Sequence, residues 1–211
     1  MTTEMFDIFD KDMNHLGTAS RQEAHAQGLW HQTFHCWVLN QSAERGPSLL
    51  LQLRHRNKDT FPSMFDTSCA GHLMAGETVQ DGVRELEEEL GLSAAISELI
   101  YCGRVAEEYV LSEQLIDREF NHIFVYECDK PVEEYNFQLS EISGLFLVNL
   151  QEFEQLLDGE CKSITAVGVL HDELKGVTNP ASREIGRDDI ALNSPEYFQL
   201  LFSTIHERIH S

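Results

Sequence analysis

The sequence predicts an α/β protein in which strands alternate with helices and a helical extension follows at the C-terminus. Short apolar segments typical of strands recur along the chain, and segments with helix caps lie between them. A length of 211 residues with 42% hydrophobic side chains suits one domain with additions. We expect one domain over residues 1–211, with a core at about 30–160, an N-terminal hairpin region at 1–29 and the helical extension at 160–211.

The N-terminal segment predicts a hairpin and a short helix. Residues 5–9 alternate apolar and acidic side chains, which indicates a strand, and the turn-forming residues 10–17 close the hairpin. Ser20 stands three residues before a glutamate, which is the spacing of a capping box. A helix is therefore predicted over residues 21–27, and Gly28 ends it.

Further strands and helices follow along the chain. Strands are expected at residues 29–39, 48–53, 96–110 (one or two strands), 119–128 and 144–148. Asn149 caps a helix over residues 150–157, and an apolar-periodic segment at 161–174 is also predicted to be helical. Residues 175–192 are rich in turns and charges, and Ser194-Pro195 opens a C-terminal helix. The apolar stripe of that helix is Phe198, Leu201, Ile205 and Ile209.

A glycine-bearing loop at residues 71–76 leads into an acidic helix predicted over residues 79–90. Positions three and four apart share a helix face, so Glu85, Glu88 and Glu89 point the same way. Like charges at that spacing repel each other. The cluster therefore favours a site for a divalent cation such as Mg²⁺, which takes carboxylates together with substrate phosphates. A solvated acidic face is the alternative.

This stretch resembles the Nudix box, G-x5-E-x7-R-E-U-x-E-E-x-G-U, in which U is a bulky aliphatic residue. Gly71 and Glu77 match its first half, and the run R-E-L-E-E-E-L-G-L at 84–92 matches every fixed position of its second half. Six residues, not seven, separate Glu77 from Arg84, so the shortening falls between the loop and the helix. The chain is thereby identified as a member of the Nudix superfamily. The resemblance implies the Nudix fold, an α+β sandwich in which a mixed β-sheet lies between helices.

Looser motifs extend the resemblance, over about residues 5–150, to the Nudix branch related to isopentenyl-diphosphate isomerase. They are D-I-F-D-K-D, R-Q-E-A-H-A-Q-G-L-W-H-Q-T-F-H-C-W-V, L-L-L-Q-L-R and F-P-S-M-F-D-T-S-C-A-G-H. His25, His31 and His72 occupy places similar to those of the metal-binding histidines of the isomerases, although the gap between the first two is one residue shorter. With Asp117 and Glu119 they would form a second metal nest.

The resemblance also implies roles for individual residues. Magnesium, or manganese, would be held by Glu85, Glu88, Glu89 and Glu119. The candidate catalytic residues are Glu88, Glu85, Arg84, as a brace for the carboxylates, and Glu119, as the best general base outside the box. Glu107 and Glu108 are rivals for the base. The candidate substrate-binding residues are Gly71, His72, Glu77, His25, Arg54 and Lys58.

Three functions are compatible with these residues. The first is a metal-dependent pyrophosphohydrolase acting on a nucleoside diphosphate linked to another group, or on a related small diphosphate. The second is a type-I isopentenyl-diphosphate isomerase, but the Cys-Gly-His of those enzymes reads Ala70-Gly71-His72 here. Cys69 is one residue too early, and in an extended backbone that shift turns the thiol to the opposite face. The third is a non-catalytic metabolite sensor, which would be expected to lose metal ligands.

Charge and composition exclude some partners. The formal net charge of −21 repels a nucleic-acid backbone, so the expected partner is a small diphosphate-containing molecule. No apolar run has the length of a membrane span. The N-terminus lacks a basic signal-peptide region and the five cysteines are scattered, which indicates the cytoplasm. Residues 175–192 cover the site or make a dimer contact, which leaves a homodimer open. Aromatic candidates for the pocket or the core are Trp30, Phe61 and Phe65.

Overall fold

The structure is a computed structural model that describes residues 4–112, 115–191 and 193–209. Within these ranges it contains two β-sheets and four α-helices. The strands are β1 (Met5–Phe9), β2 (His15–Ser20), β3 (His31–Asn40), β4 (Ser48–Arg54), β5 (Phe65–Asp66), β6 (Cys69–His72), β7 (Leu99–Ser112), β8 (Leu115–Glu127), β9 (Ile142–Asn149), β10 (Ser163–Asp172) and β11 (Val177–Gly186). The helices are α1 (Arg21–Gln27), α2 (Arg84–Leu90), α3 (Leu150–Leu157) and α4 (Pro195–Ile209).

The N-terminal hairpin and its helix agree with the prediction. Strands β1 and β2 pair antiparallel as a separate two-stranded sheet. The Ser20 side chain caps α1 by accepting a hydrogen bond from the backbone N–H of Glu23. Gly28 ends the helix in the left-handed conformation, with a φ of 62° that suits glycine.

The larger sheet is mixed, as the sequence predicts. Its strands lie in the order β11-β10-β9-β4-β3-β8-β7, with β5 beside β4 and β6 beside β3. Strands β3 and β8 run parallel, and the other pairs are antiparallel. In the parallel pair His31 lies opposite Glu119, and Thr33 lies opposite Asn121. Residues far apart in the chain therefore meet at the centre of the sheet.

Each face of this sheet packs against helices. On one face Trp37 packs with Phe153 of α3 and with Phe198 of α4. On the other face Leu86 and Leu90 of α2 are fully buried in a second apolar cluster. This arrangement confirms the predicted sandwich of a mixed sheet between helices.

The segment at 161–174 is strand β10, so the predicted helix there is wrong. Ile164 and Ala166 are buried while Thr165 and Val167 are more exposed, which is the period of two expected of a strand. A Cβ at Gly168 would lie 2.0 Å from the Leu145 carbonyl oxygen, because β9 passes very close. Pairing with β9 and β11 decides this segment, and the helical part of the C-terminal extension is α4 alone among the described residues.

Three further details of the predicted elements are refined by the structure. The acidic helix begins as a 3₁₀ turn at Val79–Val83 before α2 starts. Strand β8 begins at Leu115, so Glu119 lies inside the strand and not at its start. In α4 the predicted stripe is buried except for Ile209, which is half-buried. No helix of the described ranges is long and apolar enough to cross a bilayer.

Candidate active site

A cavity of about 450 Å³ opens between α2, the central strands of the larger sheet, the segment around residues 54–61, and Ala191 and Asn193. That volume is typical of small-molecule sites. Its walls include these predicted residues: His25, Arg54, Lys58, Gly71, His72, Arg84, Glu85, Glu88, Glu89 and Glu119. The structure thus brings nearly all of the predicted residues into one cavity, whereas Glu77 contacts the site through Arg84. Their chemical roles stay predictions.

Arg84, the first residue of α2, connects the carboxylates at the N-terminus of this helix. Its Nε and Nη2 donate to the two carboxylate oxygens of Glu77, at 2.9 and 3.0 Å. Its Nη1 donates to Glu85 at 2.5 Å and to Glu88 at 3.2 Å. Hydrogen bonding from Arg84 lowers the pKa of Glu77, so that this partner is held as the anion.

The shortened box still allows Glu77 and Arg84 to meet. The passage between them includes the 3₁₀ turn at Val79–Val83. A 3₁₀ helix rises about 2.0 Å per residue, against about 1.5 Å for an α-helix. The shorter passage still brings the Arg84 guanidinium onto the Glu77 carboxylate.

The three box glutamates all line the cavity, but their surroundings differ. Glu85 and Glu89 are buried, whereas Glu88 is exposed. Burial raises the pKa of Glu85 to about 7 and that of Glu89 to about 8, and the negative charge of Glu85 adds to the effect at Glu89. Glu89 also accepts a hydrogen bond from the Ala70 N–H at 3.2 Å. Buried, mutually repelling carboxylates of this kind gain stability from a divalent cation.

Gly71 is required by the approach of Glu85. A Cβ placed on Gly71 would lie 2.2 Å from the Glu85 carboxylate carbon. The absence of a side chain therefore lets the carboxylate lie directly against strand β6. This explains in steric terms the first glycine of the box, for which the sequence alone indicates only backbone freedom.

A second cluster lies deeper, between α1, β3, β6 and β8. One side-chain atom from each of His25, His31, His72 and Asp117 lies within 4.8 Å of the others. The Nε2 atoms of His25 and His31 are each 3.6 Å from Asp117 Oδ1. Glu119 borders the cluster, with Oε1 3.5 Å from His72 Nε2. These are the five residues predicted as the metal nest.

The nest residues fit a metal ion. The Nε2 atoms of the three histidines and Asp117 Oδ1 are buried and have no hydrogen-bond partner within the described ranges. Burial lowers the pKa of His31 to about 3 and that of His72 well below its ordinary value, so both imidazoles are neutral. Neutral imidazoles with a carboxylate form a donor set suited to transition metals. Four converging orphan atoms are costly unless a ligand pairs them.

The N-terminal hairpin seals this nest, which the sequence did not indicate. The Phe6 ring is stacked on His72 and on His31, with centroid distances of 4.6 and 5.0 Å. The carboxylate of Asp7 accepts a hydrogen bond from the Gly76 N–H at 2.8 Å. The hairpin therefore holds the box loop as well as covering the histidines.

The predicted substrate cations line the cavity and are paired with acids. Arg54 donates to Asp66 at 2.8 Å, and Lys58 forms an ion pair with Glu141. Arg21, which was not predicted, also lines the cavity. Of the three aromatic candidates, Phe61 lines the cavity, Phe65 belongs to the core, and Trp30 is stacked on Phe120.

Polar residues that the sequence analysis missed or ranked low adjoin Tyr109, which lines the cavity. Glu107 is buried and accepts hydrogen bonds from the Tyr109 hydroxyl and the Asn121 amide, both at 2.8 Å, and from the Ser194 N–H at 2.5 Å. Glu108, its rival, is exposed and paired with Arg118. The sequence signal that could have identified these residues is the period of two along β7 and β3, which places alternate side chains on the cavity face of the sheet.

Comparison with known proteins agrees with this arrangement. The family profile described as the NUDIX domain matches residues 29–165. This chain belongs to the Nudix family. An uncharacterized Nudix hydrolase of Clostridium acetobutylicum is 38% identical over 97% of this chain and 98% of its own length. Isopentenyl-diphosphate Delta-isomerase 2 of Photorhabdus laumondii is 30% identical over 74% of this chain and 82% of its own length.

A solved structure agrees with the fold of this chain at the level of architecture. The crystal structure of a protein from Deinococcus radiodurans has a TM-score of 0.54 and 18% identity, and the match covers 74% of this chain and 90% of that one. The predicted Nudix fold and the predicted branch, which contains both Nudix hydrolases and isopentenyl-diphosphate isomerases, are confirmed.

Proposed function

We propose that this Nudix-type hydrolase is a metal-dependent pyrophosphohydrolase that cleaves a diphosphate linkage in a nucleoside diphosphate-X or a related small molecule. The observation that carries the proposal is the complete carboxylate cluster. Glu85, Glu88 and Glu89 line one cavity, and Arg84 joins two of them to Glu77. A metabolite sensor would have no need to retain all of these groups.

Glu85, Glu88 and Glu89 would hold Mg²⁺ or Mn²⁺, and the histidine nest would hold a further ion. A bound divalent ion neutralises charge on phosphate oxygens and lowers the pKa of water. The residues of the chain supply the rest. Arg84 keeps the carboxylates in place, while Arg54, at the end of β4, and Lys58, on the loop that follows, attract the phosphates by charge.

A proton acceptor for the attacking water must reach the cavity, and Glu119 does. It lies opposite Glu107 on the neighbouring strand. Burial and the negative charge of Glu107 raise the pKa of Glu119 to about 8. A general base works best when its pKa is near the working pH, so Glu119 is suited to this role. Glu107 does not line the cavity, and its oxygens accept hydrogen bonds from Tyr109, Asn121 and Ser194.

The isomerase alternative lacks its thiol in the cavity. Strand β6 is extended from Cys69 to His72, so neighbouring side chains alternate in direction. Ala70 lines the cavity, whereas Cys69 is fully buried in the apolar cluster beneath α2. Burial raises the pKa of that thiol well above its ordinary value, which makes it a poor acid–base group at neutral pH.

The test is an assay of the purified protein with Mg²⁺ or Mn²⁺ against nucleotide sugars, dinucleoside polyphosphates, ADP-ribose, NADH, coenzyme A and isopentenyl diphosphate. Phosphate-containing products and alkene isomerisation are followed together. We expect metal-dependent hydrolysis of at least one substrate, reduced by orders of magnitude in Glu88→Gln and Glu89→Gln. The exposed Glu87→Gln on the same helix is the matched control. Isomerisation without hydrolysis, or full turnover in Glu89→Gln, would refute the proposal.

A further inference from the structure

His35 lies on β3 between the nest and the core, with its side chain on the cavity face. The same face carries His31 and Thr33 on one side and Trp37 on the other, because alternate residues of a strand point the same way. His35 is only 8% exposed, yet it lines the cavity. At about 3.3 Å per residue it lies about 13 Å along the strand from His31. It is therefore well separated from the metal nest.

A hydrogen-bond relay fixes the orientation of the His35 ring. The Trp37 indole N–H donates to the Tyr197 oxygen at 2.9 Å, and that oxygen lies 3.0 Å from His35 Nδ1. An indole N–H can only donate, so the phenol oxygen accepts from Trp37 and its own hydrogen is left to donate. The Thr67 hydroxyl lies beside the same oxygen as a second donor. The phenol O–H therefore donates to His35 Nδ1.

The other ring nitrogen of His35 then carries the hydrogen. Burial lowers the pKa of His35 to about 4, with the nearby charges of Glu107 and Arg54 acting in opposite directions, so the ring is neutral at neutral pH. A neutral imidazole that accepts at Nδ1 donates at Nε2. In the described part of the chain Nε2 makes no hydrogen bond, and His35 belongs to the cavity wall.

The surroundings of this donor are polar and differ from the metal end of the cavity. The Thr33 hydroxyl donates to Asn121 at 2.7 Å, and the Tyr109 hydroxyl donates to Glu107. Both hydroxyls lie on the same face as His35 and both residues line the cavity. A hydrocarbon placed here would leave the His35 Nε2–H without a partner, which is costly for a buried donor. A ligand with hydrogen-bonding oxygens or nitrogens would pair them.

We propose that His35 is a specificity-determining residue, whose Nε2–H donates to an oxygen or nitrogen acceptor on the group X attached to the substrate diphosphate. This inference rests on the proposed function, since it takes the diphosphate to lie at the box carboxylates. It names the substrate class more closely: X is polar and carries an acceptor, as a sugar or a nucleoside does, and is not an isoprenoid chain.

The test compares the binding of two non-hydrolysable probes by titration calorimetry in Mg²⁺. One is the α,β-methylene analogue of ADP-ribose, and the other is the methylene analogue of isopentenyl diphosphate. We expect the wild-type protein to prefer the ADP-ribose analogue, and His35→Leu to reduce that preference by about tenfold or more. Tyr197→Phe, which keeps the imidazole but removes the relay, should give a smaller reduction.

His122→Leu is the matched control, because His122 is also a buried strand histidine but is paired with Gln32 and Tyr101 away from the cavity. It should leave the preference unchanged. Nitrogen-15 NMR of the His35 ring adds a direct readout, with the hydrogen expected on Nε2 in the wild-type protein.

An unchanged preference in His35→Leu, a wild-type preference for the isopentenyl probe, binding of neither probe, or a hydrogen on Nδ1 would each overturn the inference. A protein that binds as expected but cleaves nothing would instead refute the proposed function and leave the recognition by His35 standing.

Discussion

Arg84 and Glu77 are joined by two parallel hydrogen bonds, from Nε to Oε1 at 2.9 Å and from Nη2 to Oε2 at 3.0 Å. This two-point contact forms although the box is one residue shorter than the family pattern. Because Arg84 also donates to Glu85 and to the His72 carbonyl oxygen, it connects the loop to α2. The pair therefore sets where the helix carboxylates stand.

Arg84→Lys is expected to reduce turnover by about a hundredfold, because a lysine cannot form the two-point contact with Glu77 or reach Glu85 and His72 at once. Both side chains are less than one-third exposed, so we also expect a loss of about 1–3 kcal/mol in the free energy of unfolding. Urea unfolding and steady-state kinetics measure the two effects. Arg118→Lys, at an exposed ion pair, is the control; equal effects in both variants would contradict the bracing role.

Gly71→Ala is expected to impair activity more than stability. The added methyl would displace the Glu85 carboxylate, which is the flexible end of a side chain, and not the backbone. We expect the apparent affinity for Mg²⁺ in the hydrolysis assay to fall at least tenfold while the circular dichroism spectrum is kept. Gly186→Ala, where the nearest atom would be 3.2 Å away, is the control. Unaltered Mg²⁺ dependence in Gly71→Ala would show that Glu85 is no ligand.

The histidine nest is expected to bind a transition metal with about one ion per chain. Zn²⁺ or Mn²⁺ should raise the unfolding temperature by several degrees, because binding to the folded state alone stabilises it. His31→Gln should abolish this rise, since its Nε2 is one of the orphan nest atoms. Scanning calorimetry measures the unfolding temperature, and elemental analysis measures the number of ions per chain. His122→Gln should behave as the wild type, and a rise that survives in His31→Gln would place the metal elsewhere.

The metal-free protein is expected to lose stability as the pH rises from 6.5 to 8.5. Burial raises the pKa of Glu89 to about 8 and that of Glu85 to about 7, from an ordinary value of 4.5. In this window the folded state retains carboxyl protons that the unfolded state has released. The two carboxyl groups therefore contribute fully to the free energy of unfolding below about pH 4.5, and this contribution is lost as the pH passes 8. The slope is at most about 1.4 kcal/mol per pH unit for each group.

Urea unfolding in a metal chelator measures this slope. The nest histidines titrate below the window, because their pKa values are lowered. Burial also raises the pKa of Glu119 to about 8 and that of Asp117 to about 7, so these groups add to the same slope. Glu89→Gln should therefore reduce the slope without abolishing it, whereas Glu87→Gln should leave it unchanged. Stability that rises with pH over the same range would contradict the assigned burial of these carboxylates.

Cys69→Ala is expected to keep hydrolysis within about twofold of the wild type, since the thiol faces the apolar cluster and not the cavity. Removal of a small buried side chain should cost about 1 kcal/mol in the free energy of unfolding. A loss of turnover by orders of magnitude, with stability retained, would instead assign the thiol a chemical role and revive the isomerase hypothesis.

Local sequence signals predicted much of the chain correctly because they depend on neighbouring residues. The cap at Ser20, the stop at Gly28 and the helix after Asn149 are short-range hydrogen-bonding patterns, and the structure contains each of them. Segment 161–174 failed for the opposite reason. Its apolar residues fit both the helical and the strand period. Pairing with β9 and β11, which no local preference predicts, decided that it is a strand.

By itself the sequence determined the acidic helix, its glycine stop and the three glutamates that share its face, because a helix repeat of 3.6 residues leaves no other arrangement. Only the tertiary structure decided which of those glutamates are buried, and that Phe6 closes the histidine nest. It also decided that Tyr197, 162 residues away, orients His35. Such contacts arise from strand pairing and packing across the sheet, and no local pattern encodes the partner of a buried polar atom.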